Sequence, residues 1–236
     1  MNRSTAVQES GRVLDFAYSF GAGSVARSLL SDERNYRFIA LQPIFDRSGG
    51  VFGYEALARS GRSNCFTDDP RTATRRLISD WLFDRFDRLT SGKPAFLNCS
   101  REDLLGGLRL PLCPPIVLEV LETVNADEEV VAACQKLKRR GHKIALDDFQ
   151  ICEQNEGLIP LADYVKIDFR LSNHEERREI LYSLSGRRIQ FVAEKIETVE
   201  EMNEAQDEGF HLFQGYYLGR PTVLSKRKSG SGRSVL

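Results

Sequence analysis

The feature that most constrains the fold is a series of short apolar runs that each end in polar residues. The clearest is 143–149, where the apolar run ends in Asp147 and Asp148. A run this short after a glycine is typical of a buried strand. Two adjacent carboxylates at its end repel one another, and their charge must be offset by a cation, a base or solvent. The alternative is that the pair caps the next helix or turn.

Similar runs recur along the chain and alternate with helical patterns. We predict strands at 38–45, 51–58, 95–98, 116–119, 143–149, 164–168, 189–194 and 211–214, and helices at 69–89, 101–105, 127–140, 174–184 and 199–208. The first two strands flank an Asp/Gly-rich turn and predict a β-hairpin. The later alternation predicts a parallel sheet. The sequence therefore favours an α/β fold, a TIM-type (β/α)8 barrel with an antiparallel first hairpin strand, over an open sheet.

Polar residues lie at or near the carboxyl ends of most predicted strands: Asn98, Glu119, Asp147, Asp148, Lys166, Glu194 and Gln214. A barrel collects these ends on one rim, where active sites of this fold lie. Glu55 and Arg59 share one face of the second strand, because strand side chains alternate. Five carboxylates and the Asn98 amide form an oxygen-only set that suits Mg²⁺ or Mn²⁺ and is large enough for two ions. Such pairs usually serve phosphoester cleavage, and Lys166 could hold the attacking hydroxide or developing charge.

Composition narrows the class of protein. The chain has 33 basic and 34 acidic residues, so no overall field attracts nucleic acid or membrane. No run is long and apolar enough to cross a bilayer. The five scattered cysteines suggest reduced thiols, and no dinucleotide or Walker glycine motif is present. We predict a cytoplasmic protein without membrane insertion and without a DNA or RNA polymer as its partner.

The chain divides into three predicted segments. Residues 1–35 form an N-terminal helical arm or cap, 36–224 form the barrel domain, and 225–236 form a basic, disordered tail. The tail prediction rests on Lys226, Arg227 and Lys228 followed by alternating Ser and Gly.

The stretch Glu55-Ala56-Leu57-Ala58-Arg59 resembles the signature of the EAL domain family of cyclic-di-GMP phosphodiesterases. The resemblance runs from Gln42 to Pro221 with matching order and spacing. The motifs that carry it are Leu97-Asn98-Cys99-Ser100, Leu118-Glu119-Val120-Leu121-Glu122, Leu146-Asp147-Asp148-Phe149, Lys166-Ile167-Asp168, Ala193-Glu194-Lys195-Ile196-Glu197 and Gln214-Gly215-Tyr216-Tyr217.

The resemblance implies a barrel that linearises cyclic-di-GMP to pGpG with two Mg²⁺ or Mn²⁺ ions. By position, the first ion would be held by Glu55, Asn98, Glu119 and Asp147, and Asp147 would bridge to a second ion that Asp148 helps to hold. Lys166 would position the nucleophilic water, Glu194 would act as ligand or general base, and Gln214 would support either. Gln42 and Arg59 would contact substrate. Glu122 would anchor the loop after Asp148 from behind the ligands, where Glu197 is also expected.

The loop after Asp148 departs from the family pattern. It begins Gln150-Ile151-Cys152-Glu153, where active members usually have a Gly-Thr-Gly-Tyr-Ser-Ser type sequence. That loop supports the second metal and the contact of a homodimer, so the departure bears on both. It also resembles EAL domains fused to HDOD domains, as does Glu194-Lys195-Ile196-Glu197 in place of Glu-Gly-Val-Glu.

Two hypotheses follow from these features. One is a phosphodiesterase with weak or conditional turnover. The other is an inactive EAL-like receptor for cyclic-di-GMP, or a module that binds a protein partner in bacterial signalling.

Overall fold

The computed structural model describes residues 36–59, 86–108, 110 and 115–227. Its strands are β1 (Tyr36–Asp46), β2 (Val51–Arg59), β3 (Ala95–Cys99), β4 (Ile116–Val120), β5 (Lys143–Leu146), β6 (Tyr164–Asp168), β7 (Gln190–Glu194), β8 (Leu212–Phe213) and β9 (Thr222–Arg227). The α-helices are α1 (Phe86–Leu89), α2 (Arg101–Leu105), α3 (Glu128–Arg139), α4 (His174–Ser183) and α5 (Val199–Glu208). A 3-10 helix spans Glu156–Leu161.

The strands close into a barrel of eight, with β9 added beside β1. Their order is β2-β3-β4-β5-β6-β7-β8-β1-β9, and an additional pairing between β1 and β2 closes the circle. Strands β2 to β8 pair in parallel, whereas β1 is antiparallel to both of its barrel neighbours. The predicted TIM-type barrel and its antiparallel hairpin strand are confirmed.

The barrel interior is filled by one layer of apolar side chains from the strands. Its buried members are Ile44, Phe96, Val117, Ala145, Tyr164, Val192 and Leu212. The rings of Phe96 and Tyr164 meet edge to face with centroids 5.2 Å apart. Because strand side chains alternate, the residues between these positions, such as Leu97 and Leu118, face outward and join a second apolar cluster with helix residues such as Val130 and Ile180.

Side-chain caps start the helices around the barrel. Asp127 accepts a hydrogen bond from the Val130 amide at the start of α3, and reciprocal capping boxes begin α2 at Ser100, α4 at Asn173 and α5 at Thr198. Predicted and observed helix ends differ by a residue at most for these elements. In the described ranges, no helix combines the length and apolarity needed to cross a bilayer.

The end of the barrel unit differs from the prediction. Residues 225–227 were predicted to belong to a disordered tail, but they lie in β9, which pairs beside β1. The strand's side chains are exposed or half-buried, so its polar composition gave no strand signal, while the free edge of β1 supplied backbone partners. The compact unit runs from Arg37 to Lys226. The predicted arm at 1–35, residues 228–236 and most of the predicted helix at 69–89 lie outside the described residues.

Candidate active site

The predicted polar residues form a layer directly above the apolar filling of the barrel. Each lies two positions beyond a filling residue on its strand, so alternation places both on the interior face: Asn98 follows Phe96, Glu119 follows Val117, Asp147 follows Ala145, Lys166 follows Tyr164, Glu194 follows Val192 and Gln214 follows Leu212. Antiparallel β1 contributes Gln42, which pairs in register with Glu55 of β2. The fold therefore brings the predicted catalytic and metal-ligating residues to one rim.

Lys166 occupies the centre of this rim and is only 1% exposed. Its Nζ lies 2.7 Å from Glu119 Oε1, 2.8 Å from both Asp147 Oδ1 and Glu194 Oε1, and 4.0 Å from Glu55 Oε2. Burial alone would lower the pKa of Lys166, but these four carboxylates outweigh burial and raise it well above its usual range. The lysine is therefore the permanent positive charge of the site.

Glu119 is fully buried at the bottom of the site. Its Oε1 forms an ion pair with the Lys166 ammonium at 2.7 Å, whereas its Oε2 has no hydrogen-bond partner among the described residues. Burial raises the pKa of Glu119 well above its usual range, and nearby Glu55 and Asp147 add to the effect while Lys166 opposes it. A buried carboxyl oxygen without a partner is costly, so Glu119 Oε2 is available to bind a ligand such as a metal ion.

Glu55 is held on both sides by side-chain amides. Asn98 Nδ2 donates to Glu55 Oε1 at 3.0 Å, and Gln214 Nε2 donates to Glu55 Oε2 at 2.8 Å. Within the part of the chain that the structure describes, the buried Oε1 of Gln214 has no hydrogen-bond partner. These bonds fix the Glu55 carboxylate and leave an amide oxygen beside it as a further acceptor.

Asp147, Asp148 and Glu194 form a second group of acceptors on the same rim. One carboxylate oxygen from each lies within 4.8 Å of the others. Burial raises the pKa of Glu194 to about 8, with Asp147 and Glu55 adding to the effect and Lys166 opposing it. Burial and then Asp147 also raise the pKa of Asp148. Three carboxyl groups this close favour a shared cation.

The donor set fits divalent metal ions. All the acceptors on the rim are carboxylate or amide oxygens, which Mg²⁺ and Mn²⁺ prefer. Glu119 Oε2, which has no hydrogen-bond partner among the described residues, could bind such an ion, and a cation on the rim would offset the repulsion among its buried carboxylates. One ion would lie among Glu55, Asn98, Glu119 and Asp147, and another among Asp147, Asp148 and Glu194.

The remaining predicted residues lie around this centre. Gln42 is buried beside Glu55, and its Nε2 donates to the Gly219 carbonyl at 3.4 Å. Arg59 ends β2, half-buried, and its Nη1 donates to the Ala58 carbonyl. Glu197 pairs with Arg170 at 3.0 Å and does not reach the rim. Glu122 is exposed, and among the described residues it makes no hydrogen bond or ion pair with the loop after Asp148.

Two residues at this rim were not singled out from the sequence. Asp168 ends β6, is buried, and accepts hydrogen bonds from the Arg170 and Leu171 amides. The Lys195 ammonium pairs with Asp168 Oδ2 and lies 3.5 Å from Asp148 Oδ1. Asp168 fits the pattern of polar strand ends and could have been found from it, whereas no sequence signal shows that Lys195 faces Asp168.

The loop after Asp148 is largely exposed to solvent. Phe149 is buried, but residues 150–154 are exposed, and Ile151 is 45% exposed. The loop is tied down by Asn155 Nδ2, which donates to the Gln150 carbonyl at 2.6 Å, and by the Ala126 amide, which donates to the Gln154 carbonyl at 2.7 Å. Within the described residues, none of its side chains bonds to Asp147 or Asp148.

A family model for the EAL domain matches residues 99–221, just over half of the chain. The chain therefore belongs to the EAL domain family. The match begins at the end of β3, so the hairpin that carries Glu55 and Arg59 precedes it.

Individual relatives agree with this assignment. The chain is 36% identical to YuxH of Bacillus subtilis over 196 residues, covering 80% of this chain and 48% of YuxH. It is 32% identical over 198 residues to the cyclic-di-GMP phosphodiesterase CdgJ of Vibrio cholerae, covering 80% of this chain and 45% of CdgJ. It thus spans about half the length of these curated relatives.

A solved structure shares the fold. The Bacillus subtilis protein YkuI, whose EAL domain was solved in complex with its substrate cyclic-di-GMP and calcium, superposes with a TM-score of 0.63 at 26% identity. The superposition covers 83% of this chain and 58% of YkuI.

Proposed function

We propose that the protein is a divalent-metal-dependent phosphodiesterase that hydrolyses cyclic-di-GMP to pGpG. The observation that carries the proposal is the buried Glu119 carboxylate beneath the rim, whose Oε2 has no hydrogen-bond partner among the described residues although its Oε1 pairs with Lys166. The similarity to the phosphodiesterase CdgJ and to the substrate complex of YkuI supports the same reaction.

The proposed ions have separate sets of ligands that share Asp147. Glu55, Asn98, Glu119 and Asp147 would hold the first ion, and Asp147 and Asp148 would hold the second, with Glu194 beside them as the general base. When bound, such ions neutralise charge on phosphate oxygens and lower the pKa of water. Either Mg²⁺ or Mn²⁺ suits these ligands.

Glu194 is the proposed general base, and Lys166 is the proposed group that positions the water. A water molecule attacks the phosphorus and gives a proton to Glu194, the bond from phosphorus to the leaving ribose oxygen breaks, and Glu194 passes the same proton on to complete the ribose hydroxyl group. The Lys166 ammonium, already 2.8 Å from Glu194 Oε1, orients that water and offsets the charge that develops on the phosphoryl oxygens. Gln214 holds Glu55 in place through its amide.

Gln42 and Arg59 are the proposed substrate contacts. Gln42 lies opposite Glu55 across the hairpin, and Arg59 lies four residues beyond Glu55 on the same face of β2. This places an amide and a guanidinium along one wall of the rim, where the guanidinium suits the second phosphate of the cyclic dinucleotide.

The exposed loop after Asp148 favours a second candidate, a receptor that binds cyclic-di-GMP without cleaving it. In the described structure no side chain of the loop bonds to Asp148, so the loop does not hold this proposed ligand of the second ion in place. In that case the exposed Ile151 would be available to a protein partner or a second copy of the chain.

The deciding experiment incubates the purified protein with cyclic-di-GMP and Mn²⁺ and follows pGpG by chromatography, with EDTA and Glu55→Ala as controls. We expect product from the wild type with Mn²⁺ only, and none from Glu55→Ala. Substrate that stays intact while isothermal titration shows it bound would favour the receptor. Neither turnover nor binding would reject both candidates.

A further inference from the structure

Lys195 lies at the rim in an unfavourable backbone conformation. It follows Glu194 at the end of β7 with φ 56°, in the left-handed region that residues other than glycine rarely adopt. Its side chain runs back to the rim and ends between two carboxylates, Asp148 and Asp168. The pairing of its ammonium explains why a lysine is held there.

Asp168 fixes the position of the ammonium. Its Oδ1 accepts hydrogen bonds from the Arg170 amide at 2.7 Å and the Leu171 amide at 3.3 Å, and its Oδ2 pairs with Lys195. Asp168 is 4% exposed, so this ion pair is shielded from solvent on the carboxylate side. The Lys195 side chain is 47% exposed, so solvent partly screens its charge, while the ion pair with buried Asp168 keeps the ammonium beside the rim.

The same ammonium faces the group proposed to hold the second ion. Its Nζ is 3.5 Å from Asp148 Oδ1, and Asp148 belongs to the set of oxygens that lie within 4.8 Å of one another. Among the described residues its ion pairs are with Asp148 and Asp168, and it makes none with Glu55 or Glu119, which belong to the first ion. Lys195 therefore opposes one metal position selectively.

We infer that Lys195 is a counter-charge that competes with the second divalent ion for Asp148 and so weakens the binding of that ion. This inference rests on the proposed metal centre. A dication at Asp147, Asp148 and Glu194 is repelled by the fixed ammonium and must share Asp148 with it. Occupancy of the second position then depends on the metal concentration, while the first ion, whose ligands Glu55 and Glu119 make no ion pair with Lys195 among the described residues, is affected much less.

Calorimetric titration of Mn²⁺ into the protein tests this inference. Lys195→Gln removes the charge at nearly the same length, Lys195→Arg keeps it, and Lys143→Gln is a control at the opposite end of a strand, where Lys143 pairs with Asp163. We expect Lys195→Gln to bind the second ion about tenfold more tightly, with the first ion changed by less than about twofold. Lys195→Arg and Lys143→Gln should match the wild type.

The outcomes separate this inference from the proposed function. Two ions bound with equal affinity by wild type and Lys195→Gln would overturn the role of Lys195 and leave the metal centre standing. An equal change at both ions would also overturn it. No ion bound by any variant would overturn the metal centre and the inference together. Lys195→Gly also removes the charge and suits the positive φ at this position, so it should behave as Lys195→Gln does and can replace that variant if Lys195→Gln folds poorly.

Discussion

At the scale of single residues, excess negative charge around Lys166 governs the behaviour of the rim. In the protein without metal, burial raises the pKa of Glu194 from 4.5 to about 8. Between those values the folded state holds a proton that the unfolded state has released. Raising the pH through this window therefore lowers the free energy of unfolding, and the loss is complete above the folded pKa.

Glu194→Gln removes this pH dependence, because glutamine has no proton to lose. With EDTA present, we expect the variant to gain stability relative to the wild type as the pH rises from 5 to 8, by on the order of a few kcal/mol. Urea denaturation at several pH values measures the difference. The lowered pKa values of His142 and His211 affect both proteins alike and cancel. A difference that stays constant across this range would contradict the pKa of Glu194.

The positions of most rim residues could be predicted from the sequence, because each is a polar residue at the carboxyl end of a predicted strand, where a barrel interior seldom needs one for stability. Glu119, Lys166 and Glu194 followed from that pattern alone. Lys195 did not, because an ammonium that follows a carboxylate along the chain gives no indication of which neighbouring strand it will face. Its partner Asp168 comes from β6, and only the register of Asp168 with Glu194 brings the two together.

At the scale of elements, Gly215 allows the segments that follow β7 and β8 to approach each other closely. A Cβ at this position would lie 2.1 Å from the Ile196 carbonyl oxygen and 2.3 Å from its amide nitrogen. The backbone of Ile196 cannot yield easily, because its amide donates to the Gln214 carbonyl and its carbonyl accepts from the Tyr217 amide. Gly215 thus sets the separation between the segments that carry Glu194, Lys195 and Gln214.

We expect Gly215→Ala to lower the free energy of unfolding by at least about 3 kcal/mol through this backbone clash. Gly49→Ala is the matched control, because Gly49 has a positive φ of 79° but nothing within 4 Å of an added Cβ. Its cost should be about 1 kcal/mol, from conformation alone. Equal losses in urea denaturation would show that the close approach at Ile196 is not restrictive.

The four helices at 101–105, 128–139, 174–183 and 199–208 matched their predicted limits to within a residue, because apolar periodicity and capping residues agree, whereas β5 ends at Leu146, three residues before the predicted limit. The strand β9 was missed for the opposite reason. Its six residues bury little, so no periodicity marks them, and only the edge of β1 makes them a strand. Strands of this kind depend on a partner that the local sequence does not reveal.

At the scale of the whole molecule, closure of the barrel is what turns scattered residues into one site. Antiparallel β1 joins β8 to β2 and so sets Gln42 and Glu55 beside Gln214, across a sequence separation of 159 residues between the latter two. An open sheet would leave these residues on opposite edges. The alternation of strands and helices predicted this closure, whereas the homodimer, a protein partner and the kinship with HDOD-fused domains stay predictions.

The most direct test of a metal-dependent phosphodiesterase centre is the rate of pGpG formation by Glu119→Gln at saturating Mn²⁺. Glutamine keeps the shape of the side chain but cannot supply the carboxylate that a metal ion would bind. We expect the rate to fall at least about a hundredfold, while the free energy of unfolding in EDTA changes little, because Lys166 keeps its ion pairs with Asp147 and Glu194. A variant that forms pGpG at the wild-type rate would contradict the assignment of Glu119 as a metal ligand, and with it the proposed centre.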